Sequence, residues 1–469
     1  MTQLGTDSEP LRVAIVGSGP AGFYAAEHFF KQGALVAQVD MFDRLPTPFG
    51  LVRFGVAPDH QKIKKVTKVY DKVASNDRFR FFGNVGVGTH IQLGELKRHY
   101  HQICFATGAQ TDRRLDIPGE DLKHSHPATE FVAWYNGHPD YRDLQFDLSV
   151  ERVAVVGVGN VAVDVARILC RTTEELAKTD IADYALDALK QSRVREVFVI
   201  GRRGAAQAAF TNAEIRELGE LQGADLVVQP EEVELDALSQ ADLDGSQDKA
   251  LVRKVEIMQQ LAKIERSGKE RALTLRFLVS PVALEGDQAG NVSGMRLVKN
   301  ELFRSDDGSL RPRATESFED LPVGLVFRSV GYRGVAVPDL PFNDAWGVVP
   351  NDNGRVVELE SKEQLTGLYV TGWIKRGPSG VIGTNKPDAV ETVNMMLADI
   401  AADRTLRPDN TDPVALSRLV SERQPDFFSY DDWKRLNELE VGRGESEGRP
   451  RVKFTSVEEM LANLERDRS

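Results

Sequence analysis

The sequence predicts an α/β protein built on parallel strands, and three observations predict it. Short apolar runs rich in β-branched residues recur, two of them end in glycine-rich turns, and helix-patterned segments follow those turns. The first unit opens with Leu11–Val16 (LRVAIV), passes through Gly17-Ser18-Gly19-Pro20-Ala21-Gly22, and continues as a helix over residues 23–32 that Gly33 closes. A second strand, residues 35–42, then ends on Asp43. The second unit opens with Arg152–Val156, passes through Gly157-Val158-Gly159-Asn160-Val161-Ala162, and continues as a helix to Cys170.

That order has a chemical reason. The first glycine permits the sharp turn, the second lets a pyrophosphate approach bare backbone, and the third lets helix and strand pack closely. Alanine is tolerated at the third position, as at Ala162. The helix N-terminus faces the negative charge, and a carboxylate at the next strand's tip, here Asp43, takes a ribose hydroxyl. Two such turns predict two dinucleotides. In the second unit the matching strand, Glu196–Ile200, ends instead at Gly201-Arg202-Arg203. Two guanidiniums reward a 2′-phosphate that a carboxylate would repel, which predicts NADP(H) rather than NAD(H) at that turn.

With 469 residues the chain can form two or three domains with full cores. A net charge of −12 argues against nucleic-acid binding as a property of the whole protein. No apolar run approaches the roughly 20 residues that span a bilayer. Residues 1–10 are polar and acidic, unlike a secretory signal or an Arg-rich transit peptide, so a cytoplasmic protein with a disordered N-terminal tail is expected. Cys104 and Cys170 sit in separate apolar runs and read as buried structural thiols. No Cys-x-x-Cys occurs, which excludes a thiol relay and an iron–sulfur cluster held by this chain. The histidines are scattered, and no metal site is expected.

The intervening elements follow in order. Residues 44–60 (RLPTPFGLVRFGVAPDH) are rich in Pro and Gly yet carry Phe49, Leu51, Val52, Phe54 and Val56. A solvated loop rarely holds so many large apolar groups, so the stretch reads as a packed plug or as a cover over a flat ligand such as a flavin ring. His60 ends it as a capping or packed residue before a helical stretch at 61–74, where Lys62, Lys64, Lys65 and Lys68 read as a solvated face. Strands are expected at 79–87, broken by Gly83-Asn84, and at 100–108, ending Ala106-Thr107-Gly108. Asp116-Ile117-Pro118-Gly119 reads as the bend into a new unit. A helix at 183–191 is inserted in the crossover between Cys170 and Arg195.

Thr211 with Glu214 three residues on has capping-box spacing, and Glu214 and Glu217 share a helix face. Residues 231–269 are charge-rich and helical in pattern, and 274–300 alternate like antiparallel strands. Residues 325–331 read as the return from the second domain to the first. A strand at 367–373 leads into the glycine-dense 374–385 and then a helix at 388–401, whose N-terminus is expected near the flavin's ribityl chain and pyrimidine ring. Residues 409–469 read as a polar tail with helical patches such as 457–464, packed on the surface.

Together the two turns, PTPFGLVRFGVAPDH, GVGNVAVDVARIL, the GRRG…AFTNAEIRE segment and GWIKRGPSGVIGTNKPDA closely resemble the adrenodoxin reductase family. Its members are the NADPH–ferredoxin reductases of mitochondria and actinobacteria, and the resemblance covers nearly the whole chain. It implies two Rossmann-like three-layer domains: an FAD domain split into residues 1–115 and 325–469, and an NADP domain, 116–324, inserted between them. It implies FAD contacts at Gly17, Gly19, Pro20, Ala21, Gly22, Asp43, Leu51, Val85, Trp373, Gly380, Val381 and Ile382. NADP contacts are implied at Arg113, Gly157, Val158, Gly159, Asn160, Val161, Arg202, Arg203, Glu214 and Gly380. His60 and Glu217 match family positions near the isoalloxazine and nicotinamide. The family usually has Glu where this chain has Asp43, and wider relatives carry Asp where it has Trp373.

The implied activity is hydride transfer from NADPH to FAD, then single electrons to a separate iron–sulfur ferredoxin, with His60 and Glu217 as tuners rather than obligatory acid/base groups. Against the net negative charge, a local basic patch drawn from Lys62, Lys64, Lys65, Lys68, Lys375 and Arg376 would have to steer an acidic ferredoxin. A monomer without nucleic-acid or membrane partners is expected. Two alternatives stay open. One is an electron-input subunit like those of glutamate synthase or dihydropyrimidine dehydrogenase, against which the missing cysteine clusters argue. The other is a nucleotide-binding sensor with a degenerate site, which predicts lost glycines.

Overall fold

Every residue of the Leu11–Val16 strand is buried, as a near-continuous apolar run requires at the centre of a parallel sheet. In the computed structural model, which describes residues 4–468, this strand is the middle of the first of two units. That unit comprises the chain up to Val56, His60–Thr111, and Tyr332 onward; the other comprises Ala57–Asp59 and Asp112–Gly331.

In the first unit Leu11–Val16 pairs in parallel with Ala37–Phe42 on one side and Gln102–Phe105 on the other. Phe79–Phe82 extends one flank and Gln364–Val370 the other, both in parallel, and a short antiparallel edge completes a seven-stranded sheet. The chain thus leaves its first strand in both directions, and a switch point lies at that strand's C-terminal end. Side chains alternate across the sheet. Val13 and Ile15 pack with Phe23, Phe29, Val393 and Met396, while Ala14 and Val16 pack with Leu93, Leu96, Leu368 and Leu416. The result is three layers.

The second unit has a six-stranded parallel sheet in the order Ser125–Pro127, Leu325–Arg328, Arg152–Val156, Glu196–Ile200, Arg271–Arg276, Ala224–Val228. Leu325–Arg328, read from sequence as the return to the first domain, is therefore an inner strand of this sheet. Its apolar run is buried beside Arg152–Val156, and the units part at Gly331 instead. The alternating region resolves into Val279–Gly286, Val292–Arg304 and Leu310–Leu321, a three-stranded antiparallel sheet. Its third strand is not evident from sequence because LRPRATESFEDL is mostly exposed, charge-rich and carries Pro312, which argues against a strand. The inserted helix is Asp183–Lys190. Cys104 and Cys170 are fully buried, and burial pushes both thiols up to about 12, as inert structural residues require.

Two terminal expectations need correction. Of the N-terminal tail, residues 1–3 lie outside the described residues, but Gly5 donates to the Glu9 carbonyl at 2.7 Å and accepts from Val36 at 2.8 Å, so this end is folded onto the unit. Nor is the C-terminal stretch a surface tail. Trp433, Leu436, Phe454 and Met460 are buried in the same core as Phe23. Glu440, in the middle of the Tyr430–Ser446 helix, is completely buried and faces Arg53 of the 44–60 stretch with two bonds of 2.8 and 2.5 Å. Arg451 and the Phe454 N–H complete its shell at 3.1 and 3.0 Å. Between them, Phe49 holds a left-handed φ of +87°, kept by ring contacts with Phe23 at 5.5 Å and Trp433 at 5.6 Å. Phe49, Val52 and Phe54 of the 44–60 stretch are buried, while Leu51 is exposed.

Among the described residues no helix is long and apolar enough to cross a membrane.

Burial alone would raise the Glu440 carboxyl, but the Arg53 and Arg451 charges and the Phe454 N–H outweigh it and hold it below its ordinary value. Its contribution to stability is therefore present above the unfolded pKa, roughly 4.3, and is lost as pH falls through the folded value. Glu440→Ala is expected to cost about 3–5 kcal/mol at neutral pH, because Arg53 is left buried without its main partner. Denaturant melts at pH 7 and pH 3.5 check it, and the difference from wild type should shrink at the lower pH.

Candidate functional site

In the first unit the glycine turn is shaped by what surrounds it. Gly17 has φ +109°, and a Cβ there would sit 2.4 Å from the Ala106 carbonyl oxygen. A Cβ on Gly22 would sit 2.3 Å from the Gly17 oxygen, so helix and turn are in direct backbone contact. Gly19 has nothing within 4 Å and caps the Pro20–Phe30 helix without a side-chain hydrogen bond. The amides of Gly19, Ala21 and Gly22 at this helix start have no acceptor within the helix and carry the positive end of its dipole. Pro20 stands at the first helical positions, where its missing N–H costs nothing.

Asp43 lies at the tip of the Ala37–Phe42 strand. Its Oδ2 accepts from the Ser18 N–H at 2.9 Å and the Ser18 hydroxyl at 2.5 Å, and its Oδ1 from the Leu45 N–H at 2.9 Å. The carboxylate is locked to the turn, with acceptor capacity left for one further donor. Val85 is buried and donates its N–H to the Asp43 carbonyl at 2.8 Å. Gly50, just before Leu51, approaches Gly19 closely, and Leu51 itself is partly exposed.

The late segment arrives at the same place. Gly372 has φ +77°, and a Cβ there would meet the Ala21 Cβ at 2.7 Å, so the Trp373 turn lies against the first helix. The Trp373 indole N–H donates to the Ser379 carbonyl at 3.1 Å, which ties it to Gly380, Val381 and Ile382. Val381 is 54% exposed beside the start of the Asn385–Ala401 helix, an unusual place for valine. The Thr107 hydroxyl is buried beside Gly17 with no hydrogen-bond partner among the described residues. Lys375, read as a docking cation, is buried and paired with Asp388 at 3.2 Å and Glu391 at 2.5 Å, while Arg376 lies 3.4 Å from Asp388. Both therefore serve the turn rather than a surface patch. Lys62, Lys65 and Lys68 are exposed.

The second unit repeats the device. Gly157 has φ +133°, with the Ser329 carbonyl 2.1 Å from any Cβ, and Gly159 again has nothing within 4 Å. Gly159 caps the Asn160–Cys170 helix without a side-chain bond, and the Asn160 Oδ1 is buried without a partner among the described residues. Val158 accepts from the Ala209 and Phe210 N–H groups at 2.9 and 3.1 Å, and Val161 stands in the helix's first turn. Arg202 and Arg203 line a cavity of about 390 Å³ and, among the described residues, have no carboxylate within ion-pair distance. Burial, then the like charge of Arg202, lowers the Arg203 pKa, so the pair is short of negative charge. The Arg113 N–H donates to the Gly331 carbonyl at 2.8 Å.

Glu214 forms the expected capping box, accepting the Thr211 N–H at 2.6 Å. Glu217 is about two-fifths exposed and lies 3.9 Å from the Arg167 guanidinium. Arg167 is a hub the sequence reading missed. Completely buried, it meets Asp59 at 2.7 and 3.0 Å and Asp164 at 2.7 Å, and Arg171 reaches Asp59 at 2.6 Å. Asp164 and Arg167 show a helical i,i+3 spacing, but Asp59 comes from 108 residues earlier, and only folding joins them. His60 follows Asp59 directly; it stands at the start of the Gln61–Lys64 turn of helix without a side-chain cap. Arg167→Leu would leave Asp59 and Asp164 buried without their shared cation, with an expected loss of about 3–5 kcal/mol. Thermal unfolding checks this, and Arg167→Lys should recover part of the loss.

Residues 11–218 match the family model described as pyridine nucleotide-disulphide oxidoreductase. The chain is 44% identical to NADPH-ferredoxin reductase FprA of Mycobacterium tuberculosis, over 96% of this chain and 98% of that one. It is 41% identical to the mitochondrial NADPH:adrenodoxin oxidoreductase of Arabidopsis thaliana, over 97% and 95%. The solved structure of Mycobacterium tuberculosis FprA in complex with NADPH superposes with a TM-score of 0.90 at 45% identity, covering 97% of this chain and 99% of that chain. The chain belongs to the NADPH–ferredoxin reductase family that includes the adrenodoxin reductases.

Proposed function

We infer that this chain is an FAD-dependent NADPH–ferredoxin reductase, with the first unit holding FAD and the second NADPH. The observation that carries the assignment is the contrast between the two strand tips. One ends in a carboxylate already committed to its own turn, the other in two arginines without a carboxylate partner among the described residues.

Several features support FAD in the first unit. Gly19 leaves bare amides where a pyrophosphate would lie, the Thr107 hydroxyl is an orphan beside them, and Val381 stands exposed at a second helix N-terminus. Gly17, Gly19, Pro20, Ala21 and Gly22 would hold the pyrophosphate, Asp43 a ribose hydroxyl, and Leu51, Val85, Trp373 and Gly380 to Ile382 the rest of the flavin. FAD, when bound, supplies the conversion of a two-electron hydride from NADPH into single electrons for an iron–sulfur ferredoxin. On the second unit, Val158 to Val161 would present backbone to the NADPH pyrophosphate, with Arg202 and Arg203 on the 2′-phosphate and Arg113 and Glu214 as further contacts. Glu217, held near Arg167, and His60, next to the anchored Asp59, act as positioning and tuning groups. The exposed lysines 62, 65 and 68 would meet an acidic ferredoxin. The enzyme is proposed to work as a cytoplasmic monomer.

Anaerobic titration followed by absorbance tests the reading. The flavin band should bleach near stoichiometry with NADPH and respond far more weakly to NADH. Arg202→Ala/Arg203→Ala is expected to lower kcat/KM for NADPH by about 30-fold or more, from two lost charge-assisted contacts, with NADH little changed. Gly17→Ala should yield protein without bound flavin, since the added methyl has no room. Equal bleaching by both nucleotides would overturn the NADPH assignment, and cytochrome c reduction independent of added ferredoxin would overturn the acceptor.

A further inference from the structure

The cavity beside Arg202 and Arg203 has a third wall. Phe303, Ser309, Leu310, Arg311 and Pro312 complete its lining, all from the hairpin of Val292–Arg304 and Leu310–Leu321. This hairpin is fastened to the arginine turn. The Asn300 side-chain amide donates to the Arg202 carbonyl at 2.9 Å, its backbone N–H donates to the Leu278 carbonyl at 2.7 Å, and Leu278 N–H donates to the Arg203 carbonyl at 3.1 Å. The hairpin turn aims its cation. Asp307 accepts from the Arg311 guanidinium at 2.6 Å and is itself fixed by the Ser305 and Ser309 hydroxyls, both at 2.6 Å.

Three guanidiniums therefore border one cavity, and Asp307 offsets only one of them. Like charges gathered in this way are unfavourable until an anion joins them, and a phosphate monoester brings roughly 1.5 to 2 negative charges with three acceptor oxygens. We propose that Arg311 is a third cation of the 2′-phosphate subsite, and that the hairpin carrying it helps set this chain's preference for the phosphorylated dinucleotide. The proposal rests on the reading that Arg202 and Arg203 receive the 2′-phosphate. Asp307 is a positioning residue that keeps the Arg311 fork turned toward the pair.

Calorimetric titration of the purified holoenzyme with adenosine 2′,5′-bisphosphate and with 5′-AMP separates the two ideas, because these probes differ only in the 2′-phosphate and neither can be turned over. Wild type should prefer the bisphosphate, and Arg202→Ala/Arg203→Ala should lose that preference. Arg311→Gln should weaken the bisphosphate about fivefold, a value reduced for a half-exposed cation, and leave 5′-AMP unchanged. Arg311→Lys should keep part of the affinity, since it retains charge but loses the fork. Loss of preference in the double variant with wild-type affinity in Arg311→Gln would overturn the role of Arg311 and leave the Arg202–Arg203 reading standing. No preference in wild type would overturn both. Weakening of 5′-AMP and bisphosphate alike in Arg311→Gln would also overturn it, since a lost 2′-phosphate contact cannot act on 5′-AMP.

Discussion

A pyrophosphate can be held by bare amides only if the backbone is brought into the open and kept rigid there, and both units solve this in the same way. The residue after each first strand turns with positive φ, and a neighbouring strand's carbonyl closes in to 2.4 Å of where a Cβ would be at Gly17 and 2.1 Å at Gly157. That contact leaves no room for any side chain and fixes the turn against the sheet. Two residues on, Gly19 and Gly159 face open space at a helix N-terminus with no side chain capping it. The crowded glycine sets the geometry, and the open one leaves room beside the helix N-terminus.

Around that constraint the two units diverge through charge. Asp43 is held locally by Ser18 and Leu45 donors, so its unit presents a pre-set acceptor. Arg202 and Arg203 are left unbalanced, and burial with mutual repulsion depresses the Arg203 pKa. An unbalanced pair of cations is a cost in the free protein that an anion would offset. Elsewhere the chain does the opposite and spends its carboxylates on closing arginines. Arg53 meets Glu440, Arg167 meets Asp59 and Asp164, and Lys375 meets Asp388 and Glu391. A net charge of −12 therefore says little about any one surface, because many charges face inward or face each other.

The two turns, the acidic and basic strand tips, the Thr211–Glu214 capping box and the buried cysteines were all legible from residue type and spacing. The buried helix Tyr430–Ser446 was not. Its buried face carries Glu440 at the centre, and a glutamate reads as solvated until its partner Arg53, 387 residues away, is in view. The third antiparallel strand was hidden for a different reason, since it is charge-rich, mostly exposed and carries Pro312. Lys375 misled in the other direction, a cation in a glycine-dense loop that folding turned into an internal brace.

Local chemistry settled what had to be glycine, what had to be carboxylate and what had to be guanidinium, because those requirements act between residues a few positions apart. Folding settled which charges are spent on one another and which remain for a ligand. Arg167 is consumed by Asp59 and Asp164, Lys375 by Asp388 and Glu391, and Arg202 and Arg203 by no carboxylate among the described residues. Ion pairing depends on distance in space, and the 108 residues between Asp59 and Arg167 hide that pair from any local reading.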